Sequence, residues 1–201
     1  MKKSVEEHAD RFDEIASDYD EDNPPEYRAC ADLVIEAADP SDDDVVLDLG
    51  TGTGAIALTL ADAADSVVGR DVSEGMLAEA RSKATDRGIR NAEFGTGRFR
   101  APEYDGPAEV IVSNFAMHHL NDEEKREAIE VVAGFEPRRF VLGDLMFFGQ
   151  PDPDEPFYDP ELDDPATVGT LVEILTDAGF AVTDVDRVHE QVGAIVADRH
   201  D

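Results

Sequence analysis

Apolar residues fall in short blocks along this chain, and polar or glycine-rich stretches separate them. Blocks at 45–49, 66–71, 92–95, 108–113 and 139–144 are too short for helices and nearly continuous, as buried parallel strands are. Between them lie stretches with helical spacing. One covers 55–64, and a second runs from Ser73 to about Gly88, where Ser can cap the start and Gly the end. A third starts at Asn121 or Asp122 and buries Ala128, Ile129, Val131 and Val132. Upstream, 4–19 reads as an amphipathic helix with Val5, Phe12 and Ile15 on one face. Pro25 suits the first turn of another helix, with Leu33, Val34 and Ala37 inside. After a proline- and acid-rich loop at 150–165, a helix is expected over 166–179, with Val168, Leu171, Val172 and Leu175 inside. Strands are then expected over 180–185 and 191–197. The alternation predicts an α/β fold with a doubly wound, mostly parallel sheet.

The chemistry centres on Val45-Val46-Leu47-Asp48-Leu49-Gly50-Thr51-Gly52-Thr53-Gly54, with a helix beginning at Ala55. Glycines at this spacing allow backbone angles closed to other residues and let a ligand lie on the main chain. The following helix start offers free N–H groups to an anionic ligand group. Two readings fit. Gly50-x-Gly52-x-x-Ala55, with Asp71 as a ribose-binding acid, matches a dinucleotide fingerprint and an NAD(P)-dependent oxidoreductase. Asp48-x-Gly50-x-Gly52-x-Gly54 instead resembles the first motif of class I S-adenosylmethionine (SAM)-dependent methyltransferases.

Further segments carry the same resemblance, over about residues 10–197. Phe12-Asp13-Glu14-Ile15-Ala16-Ser17-Asp18-Tyr19-Asp20 is similar to a segment that caps the cofactor in small-molecule methyltransferases. Val67, Gly69, Asp71, Ser73, Met76 and Leu77 match the family's second landmark. Ser113-Asn114-Phe115-Ala116-Met117-His118-His119-Leu120 is similar to the block after strand four in ubiquinone/menaquinone-type methyltransferases. The resemblance implies a seven-stranded sheet whose last strand is antiparallel, in one domain spanning 1–201, with a helical cap over 1–40 and an α/β core over 41–201.

It also implies SAM as cofactor and site residues for it. Asp48, Gly50, Thr51, Gly52 and Gly54 would hold its amino-acid end and ribose, and Asp71 the ribose hydroxyls. Tyr19, Val72, Met76, Gly97, Arg98 and Phe99 would surround the rest. Asn114 and Phe115 would face the reacting end, with His118 and His119 as candidate bases. Arg98 departs from the pattern, since the family commonly has an acid there that accepts from the adenine amino group. Phe99 or Glu93 would have to compensate. The apolar stretch Asp144-Leu145-Met146-Phe147-Phe148 is expected to line an apolar acceptor site. A non-catalytic SAM-binding protein is the remaining alternative. The His pair lacks an evident third ligand, so no metal is implied.

Charge narrows the function classes. Asp and Glu number 48 against 17 Lys and Arg, for a formal net charge of −31, and the acids are spread along the chain. Such a surface opposes nucleic-acid binding. Its diffuseness fits a salt-rich cytoplasm, where counterions screen self-repulsion. No apolar run is long enough to span a membrane, and no secretory signal is visible, so a cytoplasmic protein acting on a small-molecule acceptor is expected. Cys30, the single cysteine, reads as a small buried apolar residue.

Overall fold

A computed structural model describes residues 5–20, 23–150, 157–160 and 162–199. Its strands are β1 (Val45–Leu49), β2 (Ser66–Asp71), β3 (Ala92–Thr96), β4 (Val110–Asn114), β5 (Arg139–Phe147), β6 (Ala166–Thr167), β7 (Ala181–His189) and β8 (Val192–Asp198). Its helices are α1 (Val5–Ile15), α2 (Pro25–Ala38), α3 (Ala55–Leu60), α4 (Glu74–Arg87), α5 (Asp122–Gly134) and α6 (Val168–Asp177). The sheet order is β3-β2-β1-β4-β5-β8-β7, with β6 paired to β5 at its edge.

The seven-stranded path agrees with expectation, and β6 adds an eighth, two-residue strand. β8 runs antiparallel to both β5 and β7. The chain builds outward from β1 to β2 and β3, then restarts on the other side with β4 and β5. The crevice at that reversal, beyond the carboxyl ends of β1 and β4, is where such sheets bind ligands.

Side-chain alternation along β1 sends Leu47 and Leu49 to one face and Val46 to the other. The first face packs on α5 and α6 through Ala128, Ile129, Val132, Leu171 and Leu175. The second packs on α2, α3 and α4 through Val34, Leu58, Leu77 and Ala80. Strands covered on both faces have no polar side to show, hence their continuous apolar sequence. Edge strand β7 differs: Asp184 and Asp186 are exposed on it, and such charges discourage pairing with another sheet.

Three expectations change. Ile15 is 39% exposed, and His8 on α1 and Ala16 just beyond its end turn inward instead. β5 continues through Phe147, and Leu145 and Met146 are core residues, so their apolar character is spent on packing rather than on an acceptor site. Helix α3 stops at Leu60, with a turn carrying the chain to β2. α2 packs on the sheet through Cys30, Val34 and Ala38. Residues 151–156 and 161 of the proline-rich loop, together with Val5's side chain and the chain ends, lie outside the described residues.

Candidate active site

The glycine turn is held from both sides. Gly50 and Thr51 donate backbone N–H bonds to the Arg70 carbonyl, at 2.8 and 3.1 Å. Gly52 N–H donates to Asp71 Oδ2 at 2.8 Å, and Ser73 N–H to Asp71 Oδ1 at 3.0 Å. The turn and the end of β2 thus form one rigid piece, with both Asp71 oxygens accepting from backbone N–H groups and the Val72 N–H turned to the same carboxylate. Gly50 and Gly52 adopt φ of 76° and 54°. A Cβ on Gly50 would lie 2.4 Å from that of Ala116, whereas one on Gly52 would meet nothing within 4 Å. Gly52 therefore opens onto space that a ligand can fill against the main chain.

Asp48 is 2% exposed and accepts a 2.7 Å bond from the Thr51 hydroxyl. Burial pushes its carboxyl up to about 7, against the pull of that bond. Burial likewise raises Asp71 and the Tyr19 and Tyr27 phenols.

The N-terminal segment is clamped over this turn by its acids. Asp13 accepts from Ser73 Oγ and Gly75 N at the start of α4. Asp20 accepts from the Thr53 hydroxyl at 2.7 Å and pairs with Lys83 at 2.5 Å. Phe12 and Tyr19 then meet edge to face, 6.3 Å apart, over the cavity.

On the far side of β2, Arg70 explains a residue the motifs leave unassigned. It is buried, donates to the Gly69 carbonyl, pairs with Glu93 at 2.8 Å and lies 5.5 Å from the Tyr104 ring. A Cβ on Gly95 or Gly97 would press on its side chain. Arg70 is thus a prop beneath the 95–104 loop. Glu93 is committed to that pair, 70% exposed, and outside the cavity wall, so it does not replace the missing acid at Arg98.

At the end of β4, Asn114 is buried on the cavity wall beside the Tyr27 phenol, and its amide meets full hydrogen-bond geometry with none of the described residues, as a ligand-binding group would. Phe115 follows at φ 51°, a strained angle for a bulky residue and one that turns the chain sharply into a single 3₁₀ turn, Met117–His119. His118 donates its backbone N–H to Asp144 Oδ2 at 2.9 Å, and its ring Nδ1 lies 2.5 Å from Asp144 Oδ1. His119 Nδ1 lies 2.9 Å from Asp163 Oδ1. Burial, with His118 beside it, drives the His119 imidazole down to about 4.

One cavity of about 280 Å³ joins these parts. Tyr19, Gly50, Gly52, Asp71, Val72, Met76, Gly97, Arg98, Phe99, Asn114, Phe115 and His119 line it. Asp48, Thr51, Gly54 and His118 stand behind that wall and brace it. Sequence reasoning missed His8, Tyr27, Arg100 and Glu124, which also line it, and the supporting acid Asp163. Buried His8 on the inner face of α1 left a periodicity signal; Asp163 left none, because only folding brings it to His119.

This architecture matches known methyltransferases. A family model described as "Methyltransferase domain" matches residues 46–135. The uncharacterized methyltransferase YrrT of Bacillus subtilis (strain 168) is 34% identical over 152 residues, covering 68% of this chain and 70% of that protein. An uncharacterized methyltransferase of Geobacillus sp. (strain WCH70) is 36% identical over 125 residues, 62% of this chain but only 56% of that protein. The chain therefore spans little more than half of some curated relatives it matches. Magnesium protoporphyrin IX methyltransferase (ChlM) from Synechocystis PCC 6803 with bound SAM has the same fold, with a TM-score of 0.70 at 22% identity, covering 87% of this chain and 80% of that one. The chain belongs to the methyltransferase family, which decides against the dinucleotide reading of Gly50-x-Gly52-x-x-Ala55.

Proposed function

We propose that this chain transfers the methyl group of SAM to a small-molecule acceptor. The single observation that carries the reading is the continuity of the cavity from Asp71 and the glycine turn, past the buried amide of Asn114, to His119. The residues fit the cofactor. The Asp71 carboxylate on the cavity wall suits ribose hydroxyls, and the open face of Gly52 admits a ligand against the backbone. Val72, Met76 and Phe99 offer an apolar slot for the adenine, and Asn114 offers both donor and acceptor to the amino-acid end. Bound SAM supplies an electrophilic methyl on a sulfonium.

The protein's part is to hold an acceptor O, N or C in line with that methyl and to exclude water, which lowers the barrier through orientation. Of the His118–His119 pair, His119 reaches the cavity, and His8 lines it as well, 4.8 Å away ring centre to ring centre. Held neutral, it accepts a hydrogen bond from the acceptor. Its depressed pKa makes it a weak base, so positioning outweighs proton abstraction. The acidic surface supports a protein of a salt-rich cytoplasm, and no helix among the described residues is long and apolar enough to cross a membrane.

Titration calorimetry with SAM, S-adenosylhomocysteine and NAD in molar KCl tests the cofactor, and methyl-labelled SAM with a panel of small acceptors tests transfer. Binding of the first two and labelled product are expected. NAD binding alone, or SAM binding without product from any acceptor, would overturn the reading in favour of an oxidoreductase or a non-catalytic SAM-binding protein.

A further inference from the structure

The weak base at His119 raises the question of what else could activate an acceptor beside it. His118, His119 and Asp163 each present a ligand atom within 4.8 Å of the others. His118 Nε2 lies 3.7 Å from Asp163 Oδ1, and His119 Nδ1 lies 2.9 Å from the same oxygen. Ligands about 2.0–2.1 Å from a tetrahedral metal stand about 3.3 Å apart, so the two spacings bracket what an ion would need.

We propose that His118, His119 and Asp163 bind a divalent metal ion of the zinc class at the back wall of the cavity. Three observations support the site. It is built from two imidazoles and a carboxylate, a set that favours such ions over magnesium or calcium. Its ligands are oriented by outer partners, as metal ligands commonly are. Asp144 holds His118 Nδ1 and so directs Nε2 at Asp163, while Asp159 N–H holds Asp163 Oδ2 at 2.9 Å and leaves Oδ1 inward. Its charges also balance. Asp144 is 2% exposed and the Asp163 side chain 9%, and metal ligation uses neutral imidazoles. Two buried carboxylates then match one divalent cation, removing the cost of burying them uncompensated.

Binding replaces the hydrogen bond between His119 Nδ1 and Asp163 with two metal–ligand bonds, and the imidazole's proton resides on Nε2. Three protein ligands leave a fourth position for water or an acceptor atom. The proposal goes beyond the methyl-transfer reading, which stands whether or not a metal binds.

The test is titration of chelator-stripped protein with Co(II), in molar KCl to suppress adsorption by surface carboxylates, with SAM affinity measured on the same samples. One equivalent should bind with the strong visible absorption of a tetrahedral site. That absorption should vanish in Asp163→Asn and His119→Gln and persist in His189→Ala, a histidine outside the cluster. Thermal unfolding of each variant checks folding, and either cluster variant suffices alone. Absence of a stoichiometric site, or a site that survives both cluster substitutions, would overturn the proposal. SAM binding that persists in either case would leave the methyltransferase reading intact.

Discussion

The Asp13 carboxylate accepts a hydrogen bond from the Ser73 hydroxyl at 2.5 Å, across 60 residues of sequence, while also accepting from Gly75 N–H at 2.8 Å. Ser73 itself caps α4 through Met76 N–H. One surface acid thereby fastens the N-terminal segment to the helix that follows β2 and Asp71. Asp13→Ala should lower stability by about 0.5–1 kcal/mol, the low end for a helix cap, since Asp13 is exposed. It should weaken SAM binding more than it lowers the melting temperature, because it frees Phe12 and Tyr19 from the cavity. Those two bonds hold the carboxyl below its ordinary value of 3.8. The contribution is therefore complete above about pH 4 and is lost as pH falls through the lower folded value. Comparative melting of wild type and D13A between pH 2 and 7 checks the sign.

This clamp also marks how far the sequence could be read. The Phe12-Asp13 and Tyr19-Asp20 pairs were visible as a capping segment, but their partners Ser73, Thr53 and Lys83 are set only by tertiary structure. The glycine turn, Asp71 and strands β1 to β4 were legible because parallel strands buried on both faces leave continuous apolar blocks. Ile15 misled because an apolar residue at helical spacing does not have to be covered. Leu145 and Met146 mislead in the sequence because the apolar run of the strand is interrupted at Asp144, a polar residue. That acid is tolerated mid-strand because it faces His118 and the backbone N–H of Leu145.

Asp71 offers the sharpest test of cofactor recognition. Asp71→Asn keeps an acceptor for one of the two backbone bonds but loses the charge and one acceptor. A charge-assisted hydrogen bond contributes about 1.5–3 kcal/mol, so SAM affinity should fall by roughly 10- to 100-fold. Calorimetry on D71N, with far-ultraviolet circular dichroism to confirm folding, reads this directly. Unchanged affinity would place the ribose elsewhere.

Asp48 predicts an unusual pH response. Its carboxyl titrates at about 7 when folded, against 3.8 as the ordinary value. Between those values the folded state holds a proton that the unfolded state has released. The stabilisation is complete below about pH 4 and is lost as pH rises through 7, at up to about 1.4 kcal/mol per pH unit. His119, driven down to about 4, has the opposite slope over part of this window, so the readout is a difference: in molar KCl the melting temperature of ligand-free wild type relative to Asp48→Asn should fall progressively as pH rises from 4 to 7. SAM carries positive groups at its sulfonium and amino ends, which favour the ionised acid. Its affinity should rise with pH through the same window in wild type and stay level in D48N. A difference between wild type and D48N that does not change with pH between 4 and 7 would show that Asp48 is already ionised.

The last prediction concerns the surface as a whole. At most 17 of the 48 acids can be paired one to one with Lys or Arg, so the excess is not a matter of individual ion pairs. Many basic side chains are already engaged, as Arg139 is with Asp198 at 2.7 Å and Arg138 with Asp44 at 2.6 Å. The remaining acids repel one another over distances that salt controls. The screening length falls from about 10 Å at 0.1 M to about 3 Å at 1 M. The melting temperature should therefore climb steeply between those concentrations of KCl. An uncharged osmolyte at matched osmolality should produce a smaller rise, since it leaves the field unscreened. Replacing exposed acids on the edge strand, as in Asp184→Asn with Asp186→Asn, should raise the low-salt melting temperature and reduce the dependence on KCl. Equal responses to KCl and to the osmolyte would locate the effect in hydration rather than in charge, and the acid-rich surface would then need a different explanation from self-repulsion.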